Sequence, residues 1–234
     1  MNIATTLRAC KIGAEDSPWR KRYFIMQDYL DMAKQYGVGL VAITTEHDIE
    51  RICECCDGLI IPGSGTNINP AYYGGQAEEN PDGVDEYALD AKLIEYFVQH
   101  GKPIFGVCGG FQALNVYFGG TLTNVPVPGS HSKERDSYHE IDIVPGSFVY
   151  DVFGKERATV NTYHGMMLDR VADCFEVVAT STEDGIIEAI ECKEKHIYAA
   201  EWHPEQSFHT GDPIEHKFFE NFLSCCREAA KKQN

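Results

Sequence analysis

One short stretch, residues 103–114, limits what this chain can fold into more than any other. An apolar run, Pro103 to Val107, leads into Cys108, and two glycines and a helix-forming segment follow. A turn of the form Gly-x-nucleophile-x-Gly joins a strand to a helix and strains its middle residue. Small residues at Gly106 and Gly110 let the two elements approach closely. The pattern therefore predicts a strand, a tight turn at Cys108 and a helix.

We interpret Cys108 as a catalytic nucleophile. The predicted turn places it at the carboxyl edge of a sheet and at the start of a helix. Unpaired N–H groups and the positive end of the helix dipole stabilise a thiolate there, so we expect a lowered thiol pKa. The alternative is a structural cysteine in a tight turn, because free cysteine is among the most buried residue types.

A base and an orienting group for Cys108 lie far downstream. His203 and Glu205 follow an apolar strand, and Pro204 stiffens the spacing between them. Both side chains can project from one strand end, with Glu205 fixing the imidazole tautomer while His203 pairs with the thiol. A His at a strand end is commonly an ordinary surface residue. Downstream of an elbow cysteine, however, this pattern favours a Cys-His-Glu triad.

These two motifs, Gly106 to Gln112 and Trp202 to Glu205, resemble those of class I glutamine amidotransferase-like proteins. Further segments are similar to the γ-glutamyl-γ-aminobutyrate hydrolase branch, also called peptidase family C26. They follow the family order along the chain, at 63–74, 115–122, 160–164 and 184–190. The resemblance implies catalysis by Cys108, His203 and Glu205, without a metal or an organic cofactor.

An oxyanion hole is expected beside Cys108, because attack on an amide carbonyl needs backbone donors near the developing charge. The N–H of Gly109 is one candidate. The loop after the strand at 59–61 should lie beside the elbow, so Gly63 or Ser64 supplies the other, as the resemblance also implies. The alternative is that this glycine-rich loop is merely flexible.

Substrate contacts are predicted on two segments. Gln112 lies one helical turn after the nucleophile and can face the same pocket. The resemblance implies that it helps to hold the α-substituents of a glutamyl group. It also implies a second substrate-holding segment formed by Asn161, Thr162, Tyr163 and His164. A polar cluster just after a strand is otherwise ordinary turn chemistry.

The sequence departs from the branch near the expected pocket. Gly109 stands where an Arg is usual, Glu86-Tyr87 replaces an Arg-Asp pair, and Gly165-Met166 replaces a polar pair. These differences remove charged groups. We therefore expect a γ-glutamyl acyl group but a neutral or cationic amine leaving group.

Strands and helices alternate along the chain, which predicts one α/β domain over residues 1–234. The expected fold is a flavodoxin-like three-layer sandwich, with a mostly parallel central sheet and a small added antiparallel β layer. Early strands are predicted at 3–9, 38–44 and 59–61, and helices at 18–36, 48–56 and 85–100. Shorter β-rich pieces are predicted after residue 119.

The last predicted helix has the clearest apolar repeat. Asp212 is expected to cap it and Glu215 to complete a capping box. Apolar residues then recur every four positions, at Ile214, Phe218, Phe222 and Cys226. This stripe predicts packing against the sheet.

The composition indicates the cellular location of this chain and the classes of partner that it can bind. Lys and Arg number 20 against 36 Asp and Glu, a formal net charge of −16, which argues against a nucleic-acid partner. No segment approaches the roughly 20 apolar residues that span a membrane, and no export signal is evident, so we expect a cytoplasmic protein.

The nine cysteines are expected to be free thiols. Cys53-Glu54-Cys55-Cys56 contains a Cys-x-x-Cys spacing typical of zinc or redox sites, but without a second ligand pair we interpret it as a helix end.

The sequence thus favours a cysteine hydrolase that cleaves the γ-amide of a small γ-glutamyl conjugate with water, through a γ-glutamyl thioester. One alternative is a glutaminase subunit that passes ammonia to a synthetase partner. Another is a catalytically silent binding protein with the same fold. The sequence leaves open whether the chain forms a homodimer.

Overall fold

The computed structural model describes residues 1–11, 21–47, 49–78, 84–126, 131, 137–211 and 213–233. Its strands are β1 (Asn2–Thr6), β2 (Arg8–Lys11), β3 (Lys21–Phe24), β4 (Gly39–Ile43), β5 (Gly58–Ile61), β6 (Ile104–Val107), β7 (Leu122–Asn124), β8 (Tyr138–Ile143), β9 (Arg157–Asn161), β10 (Met166–Leu168), β11 (Glu176–Ser181), β12 (Ile187–Cys192) and β13 (Ile197–Ala200). Its α-helices are α1 (Gln27–Tyr36), α2 (Ile49–Cys53), α3 (Glu86–Gln99), α4 (Gly109–Tyr117), α5 (Phe148–Phe153), α6 (Ser207–Thr210) and α7 (His216–Gln233). Short 3₁₀ turns cover Pro70–Tyr73, Lys193–Lys195 and Pro204–Gln206.

A nine-stranded sheet forms the centre of the fold, in the order β4-β1-β5-β6-β13-β12-β11-β8-β9. The first five strands in this order run parallel. The remaining four extend the sheet with antiparallel pairing. Two small antiparallel sheets, β7 with β10 and β2 with β3, lie outside it. The predicted α/β fold, with a large parallel sheet and added antiparallel β structure, is confirmed.

The three-layer arrangement follows from the alternation of side chains along the buried strands. On β5, Leu59 and Ile61 belong to one apolar cluster and Ile60 to the other. Successive residues of a strand point to opposite faces, so each face of the sheet has its own core. Helices α3 and α4 cover one face, and α1, α5 and α7 cover the other.

The N-terminal elements differ from the prediction. The strand expected over 3–9 is two strands, β1 and β2. Of the helix expected over 18–36, residues 18–20 lie outside the described residues and residues 21–24 form β3, which pairs with β2. The aromatic pair Tyr23 and Phe24 suits a strand, and cross-strand pairing outweighs the weak helical pattern there. Helix α1 ends as predicted, at Gly37 in a left-handed conformation (φ 61°).

The last helix also begins later than predicted. Asp212, the expected cap, lies outside the described residues. Glu215 stands in a turn before α7, where its carbonyl accepts from the N–H of Phe218 at 3.1 Å. The capping box pairs Glu215 with Asp212, so it stays a prediction. Ile214 is 42% exposed and does not join the stripe. Phe218, Phe222 and Cys226 are buried as expected.

The cysteine cluster after α2 packs as the end of a helix. The ammonium group of Lys102 donates to the carbonyls of Cys53 (2.9 Å), Glu54 (3.1 Å) and Cys56 (2.7 Å). A cation at a helix C-terminus satisfies its unpaired carbonyls. Burial raises the pKa of the Cys53 thiol to about 11. These contacts support the structural interpretation of the cluster.

Cysteine pairing and membrane crossing can both be assessed on the described residues. All nine cysteines are present there as free thiols. Across the same residues, no helix combines the length and the apolar character that a membrane span requires.

Candidate active site

The elbow at Cys108 has the predicted strand-turn-helix geometry. Cys108 joins β6 to α4 with φ 49° and ψ −106°, a backbone conformation that residues other than glycine rarely adopt. Its N–H donates to the Ala200 carbonyl of β13 at 2.8 Å, and its carbonyl accepts from the N–H of Gln112 at 3.0 Å. The thiol is therefore held between the sheet edge and the first turn of the helix.

Two glycines make this close approach possible. A Cβ at Gly106 would lie 2.6 Å from the Leu114 side chain and 2.8 Å from the Gly110 carbonyl carbon. A Cβ at Gly110 would overlap the Ile61 carbonyl oxygen of β5. Helix α4 thus packs directly on the backbone of two neighbouring strands, which explains the glycine spacing in physical terms.

The predicted base and its partner are in contact. The ring Nδ1–H of His203 donates to Glu205 Oε1 at 2.7 Å, and Glu205 is buried. The other ring nitrogen of His203, Nε2, has no hydrogen-bond partner among the described residues. The imidazole is therefore held in one tautomer, with Nε2 available as a proton acceptor.

Asn161 holds the backbone of His203 from both sides. Its side-chain Oδ1 accepts from the His203 N–H at 2.8 Å, and its Nδ2 donates to the His203 carbonyl at 2.9 Å. Both ends of the amide are therefore occupied. The structure gives Asn161 a role in positioning His203, and its direct contact with substrate stays a prediction.

The loop after β5 lies against the elbow, as the predicted oxyanion hole requires. A Cβ at Gly109 would lie 2.8 Å from the backbone N of Ser64. A Cβ at Gly63 would lie 3.0 Å from His203 Cε1 and 3.5 Å from Cys108 Cβ. Gly109 also opens α4, where the first N–H groups have no intrahelical acceptor. Gly63, Ser64 and Gly109 are thus adjacent to the thiol.

Arg8 supports this loop from beneath, a role that the sequence did not reveal. Its guanidinium donates to the carbonyls of Pro62 (2.7 Å) and Gly63 (3.2 Å) and to both carboxylate oxygens of Asp90 (2.9 and 3.1 Å). Arg8 is 3% exposed. The sequence feature that could have indicated this role is a lone Arg directly after an apolar strand. A buried Arg needs a carboxylate and carbonyl groups as partners.

A cavity of about 660 Å³ opens over the thiol. Predicted site residues that line it are Gly63, Ser64, Cys108, Gln112, Tyr163, His164, His203 and Glu205. Phe24, Ile25 and Met26 add an apolar wall. A space of this size accommodates a small-molecule ligand.

Comparison with known proteins identifies the family. The peptidase C26 family model matches residues 3–205, which is most of the chain. The chain belongs to the peptidase C26 family.

The relatives of this peptidase C26 protein include named enzymes. YvdE of Lactococcus lactis, a protein named for its likeness to glutamine amidotransferases, is 30% identical over 224 residues, covering 90% of this chain and 93% of YvdE. The γ-glutamyl-γ-aminobutyrate hydrolase PuuD of Escherichia coli is 27% identical over 201 residues, covering 79% and 78% of the two chains.

A crystal structure from Thermoplasma acidophilum, of a protein provisionally named as part of a GMP synthase, has the same fold. It superposes with a TM-score of 0.69 at 20% identity, covering 100% of this chain and 97% of the other.

Two predicted substrate residues of this C26 protein, Thr162 and Gln112, contact other protein groups through their side chains. Thr162 is buried and its hydroxyl contacts His131 Nδ1 at 3.1 Å, behind the cavity wall. The Gln112 side chain donates to Glu201 Oε1 at 2.9 Å. Tyr163 is exposed at the cavity, and its carbonyl lies 3.9 Å from Cys108 Sγ.

Glu201 is a buried carboxylate that the sequence did not single out. It lies beside Gln112, and its Oε1 is 4.0 Å from His164 Nδ1. Burial raises the pKa of Glu201 to about 8, against the lowering effect of His164. The sequence feature that could have indicated Glu201 is an acidic residue at the end of an otherwise apolar strand.

The electrostatics of the thiol differ from the sequence-based expectation. Burial raises the pKa of the Cys108 thiol above its ordinary value, and the nearby Glu201 and Glu205 carboxylates raise it further, while His203 lowers it. The expected lowered thiol pKa is therefore wrong, because burial outweighs the helix terminus. Burial disfavours a charged His203, but Glu205 and Cys108 raise its pKa well above the usual range. The thiolate is stabilised chiefly by pairing with the His203 imidazolium.

This pairing predicts the pH dependence of alkylation at Cys108. Only the thiolate reacts, so the rate with iodoacetamide should rise as pH rises through the thiol pKa. In His203→Asn the stabilising imidazolium is lost, the pKa rises further, and the midpoint should move to higher pH. Below both midpoints we expect alkylation about tenfold slower than in the wild type, which corresponds to one pKa unit. Peptide mass spectrometry would locate the adduct, and an unchanged or lower midpoint would contradict the pairing.

Proposed function

We propose that this chain is a cysteine hydrolase that cleaves the γ-amide bond of a small γ-glutamyl conjugate, with water as the second substrate. The observation that carries the proposal is the placement of Cys108 on a strained elbow beside a His203 whose Nδ1 is fixed by Glu205 at 2.7 Å. Membership of the peptidase C26 family and the likeness to PuuD support the same reaction class.

The first half of the proposed reaction forms a thioester. His203 Nε2 takes the proton of the Cys108 thiol, and the thiolate attacks the γ-carbonyl carbon of the substrate. Backbone N–H groups of Gly109 and of Gly63 or Ser64 stabilise the resulting oxyanion. The imidazolium then protonates the leaving amine as the C–N bond breaks, which leaves a γ-glutamyl thioester on Cys108.

Water completes the reaction by the reverse proton transfers. His203 removes a proton from water, and the hydroxide formed attacks the thioester carbonyl. The C–S bond breaks, the thiolate leaves and is reprotonated, and a free γ-carboxylate is released. Glu205 stabilises the imidazolium in both halves and does not itself transfer a proton.

The cavity suggests which leaving amines are accepted. Arg8 is the one Lys or Arg side chain among its described lining residues, and its guanidinium is occupied by Asp90 and by backbone carbonyls. Glu78 contributes an exposed carboxylate to the same lining. An acidic amine would therefore meet no free Lys or Arg side chain in the described lining, whereas a cationic amine would meet the Glu78 carboxylate. We infer a preference for neutral or cationic γ-glutamyl amines.

A substrate panel on the purified chain tests both the reaction and the preference. We expect kcat/KM for cationic and neutral γ-glutamyl amines to exceed that for γ-glutamyl-γ-aminobutyrate about tenfold or more, a difference of about 1.4 kcal/mol. Glu78→Gln should reduce the advantage of cationic over neutral amines and leave turnover of neutral amines unchanged. A higher kcat/KM for the acidic amide would overturn the specificity but not the hydrolase reaction.

Free glutamine in the same panel separates the hydrolase from an ammonia-supplying glutaminase subunit. This second candidate is favoured by the likeness to anthranilate synthase component 2 of Azospirillum brasilense, 34% identical over 147 residues and covering 61% of this chain. A glutaminase subunit would turn over glutamine in preference to every γ-glutamyl amine and would be slow without a synthetase. Turnover of γ-glutamyl amines by the chain alone favours the hydrolase.

A further inference from the structure

A second cluster of titratable side chains lies behind the cavity wall, separate from the triad. It consists of His131, His139 on β8, His164 after β9, and Glu188 on β12. All four are at most 5% exposed. The proposed reaction uses none of them to transfer a proton or to form a bond.

The four side chains converge on one point. Glu188 Oε1 lies 3.4 Å from His131 Nδ1, 3.4 Å from His139 Nε2 and 3.7 Å from His164 Nε2. Ligand atoms at the corners of a tetrahedron around zinc, with bonds of about 2.0–2.1 Å, are about 3.3 Å apart. The spacing from the carboxylate to the three rings therefore approaches that of a four-ligand zinc site.

The outward-facing ring nitrogens of two of these histidines are already occupied. His131 Nε2 contacts Asp184 Oδ2 at 3.1 Å, and His164 Nδ1 donates to the Met166 carbonyl at 2.8 Å. Metal-binding histidines commonly donate their second N–H to a carboxylate or a carbonyl in this way. Such donation leaves His131 Nδ1 and His164 Nε2 to present lone pairs toward the centre of the cluster.

The centre of the cluster requires a positive charge. His131 Nδ1 and His164 Nε2 lie 2.8 Å apart, so two lone pairs and the Glu188 carboxylate face one another unless a proton or a metal ion lies between them. Both oxygens of Glu188 and both ring nitrogens of His139 have no hydrogen-bond partner among the described residues. Buried polar groups without partners are costly, and a metal ion would satisfy one atom of each residue.

We propose that His131, His139, His164 and Glu188 bind a divalent transition-metal ion of the zinc class. Three imidazoles and one carboxylate suit zinc better than magnesium or calcium, which prefer oxygen ligands. Binding would require His131 and His164 to separate by about half an ångström, and His131 to give up its Nδ1 contact with Thr162. Four protein ligands close the coordination sphere, so the ion is structural. It would join β8, β12 and the segments at 131 and 164, and so fix His164 in the cavity wall.

Zinc titration of the chelator-treated 234-residue chain tests this site. We expect one equivalent of Zn²⁺ to survive dialysis, measured by mass spectrometry of the metal content, and Zn²⁺ but not Mg²⁺ to raise Tm. Glu188→Gln and His139→Gln should each lower the zinc affinity at least about 100-fold. Asp184 is not a ligand but contacts His131 Nε2, and Asp184→Asn should lower the zinc affinity about 10- to 100-fold.

Two matched variants identify where zinc binds. His47→Asn changes an exposed histidine, and Cys55→Ser changes the exposed member of the cysteine cluster; both should keep full binding. Circular dichroism shows which variants remain folded. The rise in Tm on adding Zn²⁺ is measured on the wild type, so it does not depend on the folding of any variant. Failure of the wild type to retain zinc overturns the proposal and would assign a proton to the centre of the cluster. Loss of zinc in Cys55→Ser with retention in Glu188→Gln would overturn it as well.

Discussion

Cys108→Ala is expected to lower kcat for γ-glutamyl amide hydrolysis by at least about 10⁴-fold, because the thiolate forms the bond that the proposed reaction depends on. Alanine keeps the small Cβ of the elbow, so the fold should be retained. Cys108→Ser should be nearly as inactive, since a hydroxyl is a much weaker acid than a thiol. Cys55→Ser, at an exposed cysteine, is the matched control and should retain full activity. A Cys108→Ala protein with wild-type turnover would rule out the mechanism.

The triad variants should form a graded series. His203→Asn removes the proton acceptor and should lose almost as much activity as Cys108→Ala. Glu205→Gln should lose less, because it keeps a hydrogen-bond acceptor for His203 Nδ1 and removes only the stabilising charge. Acid quenching during turnover should trap one glutamyl group on the peptide that contains Cys108 in the wild type and none in Cys108→Ala.

The core of the site could be predicted from the sequence because its signals are local. The glycines at 106 and 110 are needed within a few residues of Cys108, where a larger side chain meets Leu114 or Ile61. His203 and Glu205 are likewise only two residues apart. Short-range steric requirements of this kind leave a pattern that can be found without knowing the fold.

Features that depend on distant neighbours could not be predicted. Strand β3 exists because residues 21–24 pair with β2, and that partner outweighs the helical pattern. The thiol pKa was predicted in the wrong direction, because burial of Cys108 depends on the packing of the whole sheet edge. The buried cluster of His131, His139, His164 and Glu188 joins segments up to 57 positions apart (188 − 131), without any spacing motif.

The same geometry predicts that Gly110→Ala is strongly destabilising. The added Cβ would overlap the carbonyl oxygen of Ile61, a backbone atom of a central strand that cannot rotate away. Relief requires α4 to move off β5, and Cys108 would move with it. Overpacking of this kind costs about 1–3 kcal/mol, and more where backbone is displaced. We therefore expect a lower urea midpoint together with a lower kcat.

Gly65→Ala provides the matched control for this experiment. Gly65 lies in the loop beside the same cavity, but a Cβ there meets nothing within 4 Å among the described residues, and its backbone does not require glycine. Its stability should equal that of the wild type or exceed it by up to about 1 kcal/mol, because alanine restricts the unfolded chain. Equal urea midpoints for Gly110→Ala and Gly65→Ala would show that α4 can shift freely on the sheet. In that case close packing at Gly110 would not be what holds Cys108 in its strained conformation.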